Sequence, residues 1–165
     1  MQYIKKNLPR LFRFTLILGF TLVLLAGCSQ KRIPVGSPTE ASLGSKVAQT
    51  ATMQIGKPYR MGGSTPQRGF DCSGLVFWAY GQHGIHVPRA TTEQAKAGTS
   101  VSRLKLIPGD IVVFKERSGP NHLHTGIYTG NNSFVHSPNS RSSVRMDSLT
   151  SHWQKVFING RRIVN

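Results

Sequence analysis

Cysteine, acidic residues and long apolar runs are all scarce in this chain, and each shortage narrows what it can be. Two cysteines in 165 residues, Cys28 and Cys72, cannot build a disulfide framework. Six Asp and Glu against 21 Lys and Arg leave a formal charge of +15, which suits nucleic acid, an anionic membrane surface or an acidic polymer. The longest uncharged apolar stretch, residues 14–25, falls short of the roughly 20 residues that a helix needs to cross a bilayer. No paired metal-ligand motif of the His-Glu-x-x-His or Cys-x-x-Cys kind is present, and there is no internal repeat.

What the first thirty residues do contain is ordered. Lys5, Lys6, Arg10 and Arg13 precede the apolar stretch, and the small residues Ala26 and Gly27 follow it, the arrangement of a bacterial export signal. Leu25-Ala26-Gly27-Cys28 resembles the lipobox of bacterial lipoproteins, in which the cysteine becomes the lipidated first residue of the mature chain. Several acyl chains on one residue hold a protein stably at a membrane, where a single chain does not. Ser29 in place of an aspartate then implies the periplasmic side of the outer membrane. An ordinary secretory signal cut nearby would leave Cys28 a bystander. Export removes nucleic acid as a partner and keeps anionic lipid and wall carboxylates.

We expect a signal peptide over residues 1–27, a flexible tether over 28–45 and one folded domain over 46–165. The tether is rich in Ser, Lys, Pro and Gly and poor in large apolar side chains, and fully extended it reaches roughly 60 Å. Within the domain, apolar Val47, Ala48, Ala51 and Ile55 predict a helix over residues 46–55. Residues 59–69, with two glycines in tandem and Pro66, read as an irregular loop. A central helix starts at or beside Cys72, with Asp71 as N-cap, and a short helix lies within residues 90–98. Strands are predicted at 111–114, 123–129, 133–137 and 155–158, so helices come first and an antiparallel sheet second, an α+β domain.

Cys72 has no thiol partner once Cys28 is lipidated. At a helix start the partial positive charge favours its thiolate, although free cysteines are also common as small buried apolar groups. With a hairpin turn centred near residue 130, positions summing to about 260 face each other, so His124 and His136 oppose one another on one sheet face. One ring can then take the thiol proton while the other orients it. The same three side chains could in principle hold zinc. His122, beside turn residues, and His83 and His86, after the helix, read as surface groups.

Four blocks, Asp71-Cys72-Ser73-Gly74-Leu75-Val76, Pro108-Gly109-Asp110-Ile111-Val112-Val113-Phe114, His124-Thr125-Gly126-Ile127-Tyr128 and Asn132-Ser133-Phe134-Val135-His136, resemble in order and spacing the NlpC-type cell-wall cysteine peptidases. The likeness covers residues 46–163. It implies a papain-like fold, Cys72 as nucleophile, His124 as base and His136 as its orienter. It further implies that Tyr59 helps stabilise the oxyanion, and that Ser73 and Arg89 line the cleft. The family usually has valine where this chain has Thr125. The expected activity is that of a lipid-anchored, monomeric peptidoglycan endopeptidase without cofactor or metal. Amidase or acyl transfer on the same fold, and a non-catalytic wall-binding lipoprotein, are the alternatives.

Overall fold

The computed structural model describes residues 41–117 and 120–164, so the expected signal peptide, Cys28 and most of the expected tether lie outside the described residues. Ser42 caps the first helix, α1 (Leu43–Thr52), by accepting from Ser45 N–H. The helix therefore starts and ends three residues earlier than its apolar spacing predicts, and residues 43–45 belong to the domain instead of the tether. Val47, Ala48 and Ala51 supply its buried face.

Residues 59–69 are less irregular than their glycines suggest. They carry a small antiparallel ladder of β1 (Ser64–Thr65) and β2 (Gly69–Phe70). The central helix α2 (Cys72–Gly81) follows at once, with Leu75, Val76, Ala79 and Tyr80 fully buried. Beyond it comes one short turn of helix, α3 (Thr91–Gln94). His86 is exposed as expected, but His83 is half-buried and its Nε2 lies 2.8 Å from Thr50 Oγ1.

Among the described residues the sheet has six strands in the order β3-β8-β4-β5-β6-β7, all antiparallel. Four of them are β4 (Ile111–Lys115), β5 (Leu123–Gly130), β6 (Ser133–His136) and β8 (Phe157–Arg162). The other two, β3 (Thr99–Val101) and β7 (Arg145–Ser148), are the short sheet edges. The predicted strand at 155–158 is corrected. Lys155 and Val156 end a helix, α4 (Ser151–Val156), and the strand runs from Phe157.

Alternation along β4 divides the core. Ile111 and Val113 join Leu75, Val76, Ile127 and Val135 on the helix side, while Val112 and Phe114 join Phe134 and Leu149 on the other, packed with Trp153 and Phe157. The strand is buried on both faces, which is why it reads as a continuous apolar run.

The β5–β6 hairpin turns at Asn131 and Asn132, both with positive φ, as a two-residue turn requires. A bulge lies between Tyr128 and Gly130, and the register pairs Ile127 with Val135. The turn is thus centred beyond residue 130, and His136 stands across from Gly126 rather than from His124. The two histidines are diagonal neighbours on one face. Gly126 permits this, because a Cβ there would lie 3.0 Å from His136 Cβ and 2.8 Å from Val135 O.

Gly109, with φ +98°, ties α1 to the sheet. Its Cα backs directly onto the Gly44 backbone, and its carbonyl accepts from the buried Tyr80 hydroxyl. Gly109→Ala should destabilise the domain by about 2 kcal/mol or more, through the disfavoured φ and the clash with α1. A urea midpoint lowered at unchanged m-value would show it, and an unchanged midpoint would refute it.

Candidate active site

Asp71 organises the start of α2. Its Oδ1 accepts from Gly74 N–H at 2.7 Å, capping the helix, and its Oδ2 accepts from Gly62 N–H and from Arg89 Nη2, each at 2.8 Å. Arg89 Nη1 donates to Ser73 Oγ at 2.9 Å. Ser73 and Arg89 therefore join Asp71 in one network that clamps the 59–69 loop to the helix start. Gly74 must be glycine, since a Cβ there would run into Gly63 O.

Cys72 is 2% exposed. Burial pushes its thiol above the ordinary value and the nearby Asp71 carboxylate adds to this, against hydrogen bonds from Thr91 and from the backbone of Thr125 and Ser73. Thr91 Oγ1 lies 3.7 Å from the sulfur. The helix-start amide of Ser73 and the strand backbone of Thr125 thus do act on Cys72, but desolvation outweighs them and favours the neutral thiol. Tyr59 lies close enough for charge on Cys72 to be felt at its phenol, whose pKa is raised by burial first and by Cys72 and Asp71 next.

The histidines lie on the side of β5 that carries Phe114 and Trp153. His124 is 1% exposed, its ring 5.5 Å from that of Trp153 at an angle of 30°. Its Nε2 lies 2.8 Å from His136 Nδ1, and His136 Nε2 lies 3.1 Å from Asp147 Oδ2. A carboxylate only accepts, so His136 carries its proton on Nε2 and accepts at Nδ1. His124 consequently donates from Nε2 and keeps the lone pair on Nδ1. Both nitrogens of His136 are engaged, which leaves it none for a cation. His122, two residues from His124, is exposed.

Burial lowers both imidazoles, His124 to about 3 and His136 to about 4. For His124 the neighbouring His136 lowers it further, and Asp147 opposes the shift in both rings. Partial burial pushes the Asp147 carboxyl up, but hydrogen bonds from Arg145 and Trp153 and the charge of His136 outweigh it and hold it below its ordinary value. His124 stands on β5 one residue before Thr125, whose backbone hydrogen-bonds to the Cys72 sulfur. A neutral imidazole with a free lone pair can take a thiol proton as the sulfur attacks an electrophile.

Thr125, the departure from the family's valine, has a partner. Its side chain turns to the helix side, where Oγ1 donates to Gln94 Oε1 at 3.0 Å, and Gln94 Nε2 donates to Ser73 O at 3.0 Å and to Pro88 O at 2.8 Å. This buried bridge joins the strand of His124 to the helix of Cys72. Sequence reasoning missed Gln94, Thr91, Asp147 and Trp153. A carboxylate in a chain with six acids was the available signal for Asp147, but β7 is too short to be read as a strand.

Asp147→Ala should release both tautomers. The Nε2–H signature of His136 in nitrogen-15 spectra should disappear, and turnover should fall about a hundredfold or more. Unchanged tautomers would refute the relay. Both rings are buried neutral, so the unfolded chain binds more protons below about pH 6.5. Stability should therefore be complete above pH 6.5 and decline as the pH falls toward about 4 and then about 3. Unfolding midpoints that stay flat between pH 6.5 and 4 would contradict this.

The sequence profile of the NlpC/P60 family matches residues 56–162. The chain is 42% identical over 158 residues to the probable endopeptidase NlpC of Escherichia coli (strain K12), covering 92% of this chain and 99% of that protein. It is also 42% identical over 111 residues to murein DD-endopeptidase MepS/murein LD-carboxypeptidase of the same organism, covering 67% of this chain and 57% of the relative. It thus spans nearly all of the first and little over half of the second. A crystal structure of an NlpC/P60 family protein from Bacillus cereus ATCC 10987 superposes with a TM-score of 0.67 at 31% identity, covering 74% of this chain and 40% of that one. The fold, the ordered blocks and these likenesses agree: the chain belongs to the NlpC/P60 family of papain-like cysteine peptidases.

Proposed function

We propose that this protein is a lipid-anchored peptidoglycan endopeptidase that hydrolyses a peptide bond in wall stem peptides or cross-links. The observation that carries the reading is the ordered series of hydrogen bonds from Asp147 through His136 to His124, on the strand that passes Cys72. Relatives named as murein endopeptidases support the substrate class. In this reading His124 Nδ1 takes the thiol proton as Cys72 attacks the scissile carbonyl. Helix-start amides and the Tyr59 phenol stabilise the oxyanion. The imidazolium then protonates the leaving amine, and the freed base activates water to release the acyl group. His136 orients the base throughout.

In the same proposal the domain is anchored on the periplasmic side of the outer membrane, a reading supported by the pattern of an export signal that ends at Cys28. There the tether gives it reach into the wall. With 21 basic residues against six acidic ones, the chain is suited to a polymer rich in carboxylates.

Purified wild-type protein should release soluble muropeptides from sacculi, and Cys72→Ala should release none while melting like the wild type. Equal release by the two would sink the proposal. His124→Ala should cost more turnover than His136→Ala, because an orienting ring is more replaceable than the base. The reverse order would exchange their roles.

A further inference from the structure

On the sheet face that carries His124, a cleft of about 460 Å³ opens beside the ring, lined by Glu116, Asn139, Arg145, His152 and Trp153 among others. Neither Cys72, Tyr59 nor Asp71 lines it. The group that protonates a leaving amine must lie within hydrogen-bond reach of it, so the departing fragment begins at His124. A cleft that borders His124 but not the nucleophile or the oxyanion side is therefore placed to receive what leaves.

The chemistry of its walls is specific. Arg145 is 51% exposed, and its Nε and Nη2 donate to Asp147 Oδ2 at 3.3 and 3.0 Å. Its Nη1 donates to none of the described residues and remains for a ligand. The Glu116 carboxylate also lines the cleft but is turned to His152 Nε2 at 3.1 Å. Trp153 donates its indole N–H to Asp147 and presents its ring as an apolar wall. A fixed guanidinium beside a general acid matches a planar anion held close to the leaving nitrogen.

We infer that this cleft is the leaving-group subsite and that Arg145 selects fragments with a free carboxylate on the carbon that bears the leaving amine. The inference rests on the peptidase reading above and deepens it, since it names what the departing side must carry. A carboxylate there occurs where the residue beyond the cut bond has its own carboxyl group free. An internal peptide bond offers an amide carbonyl instead.

The test uses two synthetic cross-linked stem fragments, identical except for a carboxylate or a carboxamide on that carbon. Wild type should favour the carboxylate by about tenfold or more in kcat/KM. Arg145→Gln should bring the ratio close to one, and Arg145→Lys, which keeps the charge without the fork, should leave an intermediate ratio. Wild type without a preference would overturn the inference. So would an Arg145→Gln loss equal on both fragments, because the arginine would then act only through Asp147. Binding to Cys72→Ala separates this from the parent reading. Arg145-dependent preference in binding, with no turnover of either fragment by wild type, would retain the subsite and sink the peptidase assignment.

Discussion

An imidazole acts as a base only through a nitrogen whose lone pair is free, and in this chain Asp147 makes that choice. Its carboxylate accepts from His136 Nε2, His136 then has to accept from His124 Nε2, and His124 Nδ1 is left unprotonated. Two successive rings have their tautomers fixed by one anion on the edge strand β7. The aromatic packing of Phe114, Phe134 and Trp153 around the pair excludes water that would otherwise satisfy either ring at random.

A second carboxylate performs the matching task for Cys72. Asp71 caps α2, draws in Arg89 and Gly62, and so fixes where the helix begins and where the sulfur stands. The scarcity of acids acquires a meaning here. Asp71, Asp110 and Asp147 are in ion pairs within the domain, with Arg89, Arg162 and Arg145 respectively. Half of the six acidic side chains are thus each tied to an arginine in the fold.

Much of this was legible in advance because the signals were local. Asp71 and Cys72 stand at a helix boundary that punctuation and capping rules detect, and the β5–β6 hairpin is marked by its asparagine turn. The histidine pair was placed on the right strands and the right face, yet in the wrong register, because the turn lies at Asn131 and Asn132 instead of near residue 130, and the bulge between Tyr128 and Gly130 then shifts the pairing by one residue. Asp147 and Gln94 were invisible for a different reason. Asp147 reaches His136 across a strand pairing and Gln94 reaches Ser73 and Thr125 from 21 and 31 residues away, and each lies in an element of four residues, too short for any periodicity. Thr125 was noticed as a departure, but its meaning required Gln94.

Arg145 and Trp153 donate to the same atom, Asp147 Oδ2, that receives His136. Three side chains thus share the lone pairs of one oxygen, and what one gives up the others gain. On the reading proposed above, a fragment bound to Arg145 would leave Asp147 freer to hold His136 and so raise the basicity of His124, and by reciprocal linkage the imidazolium form would hold that fragment more tightly than the neutral form. The occupancy of a single oxygen would then couple proton transfer to product release.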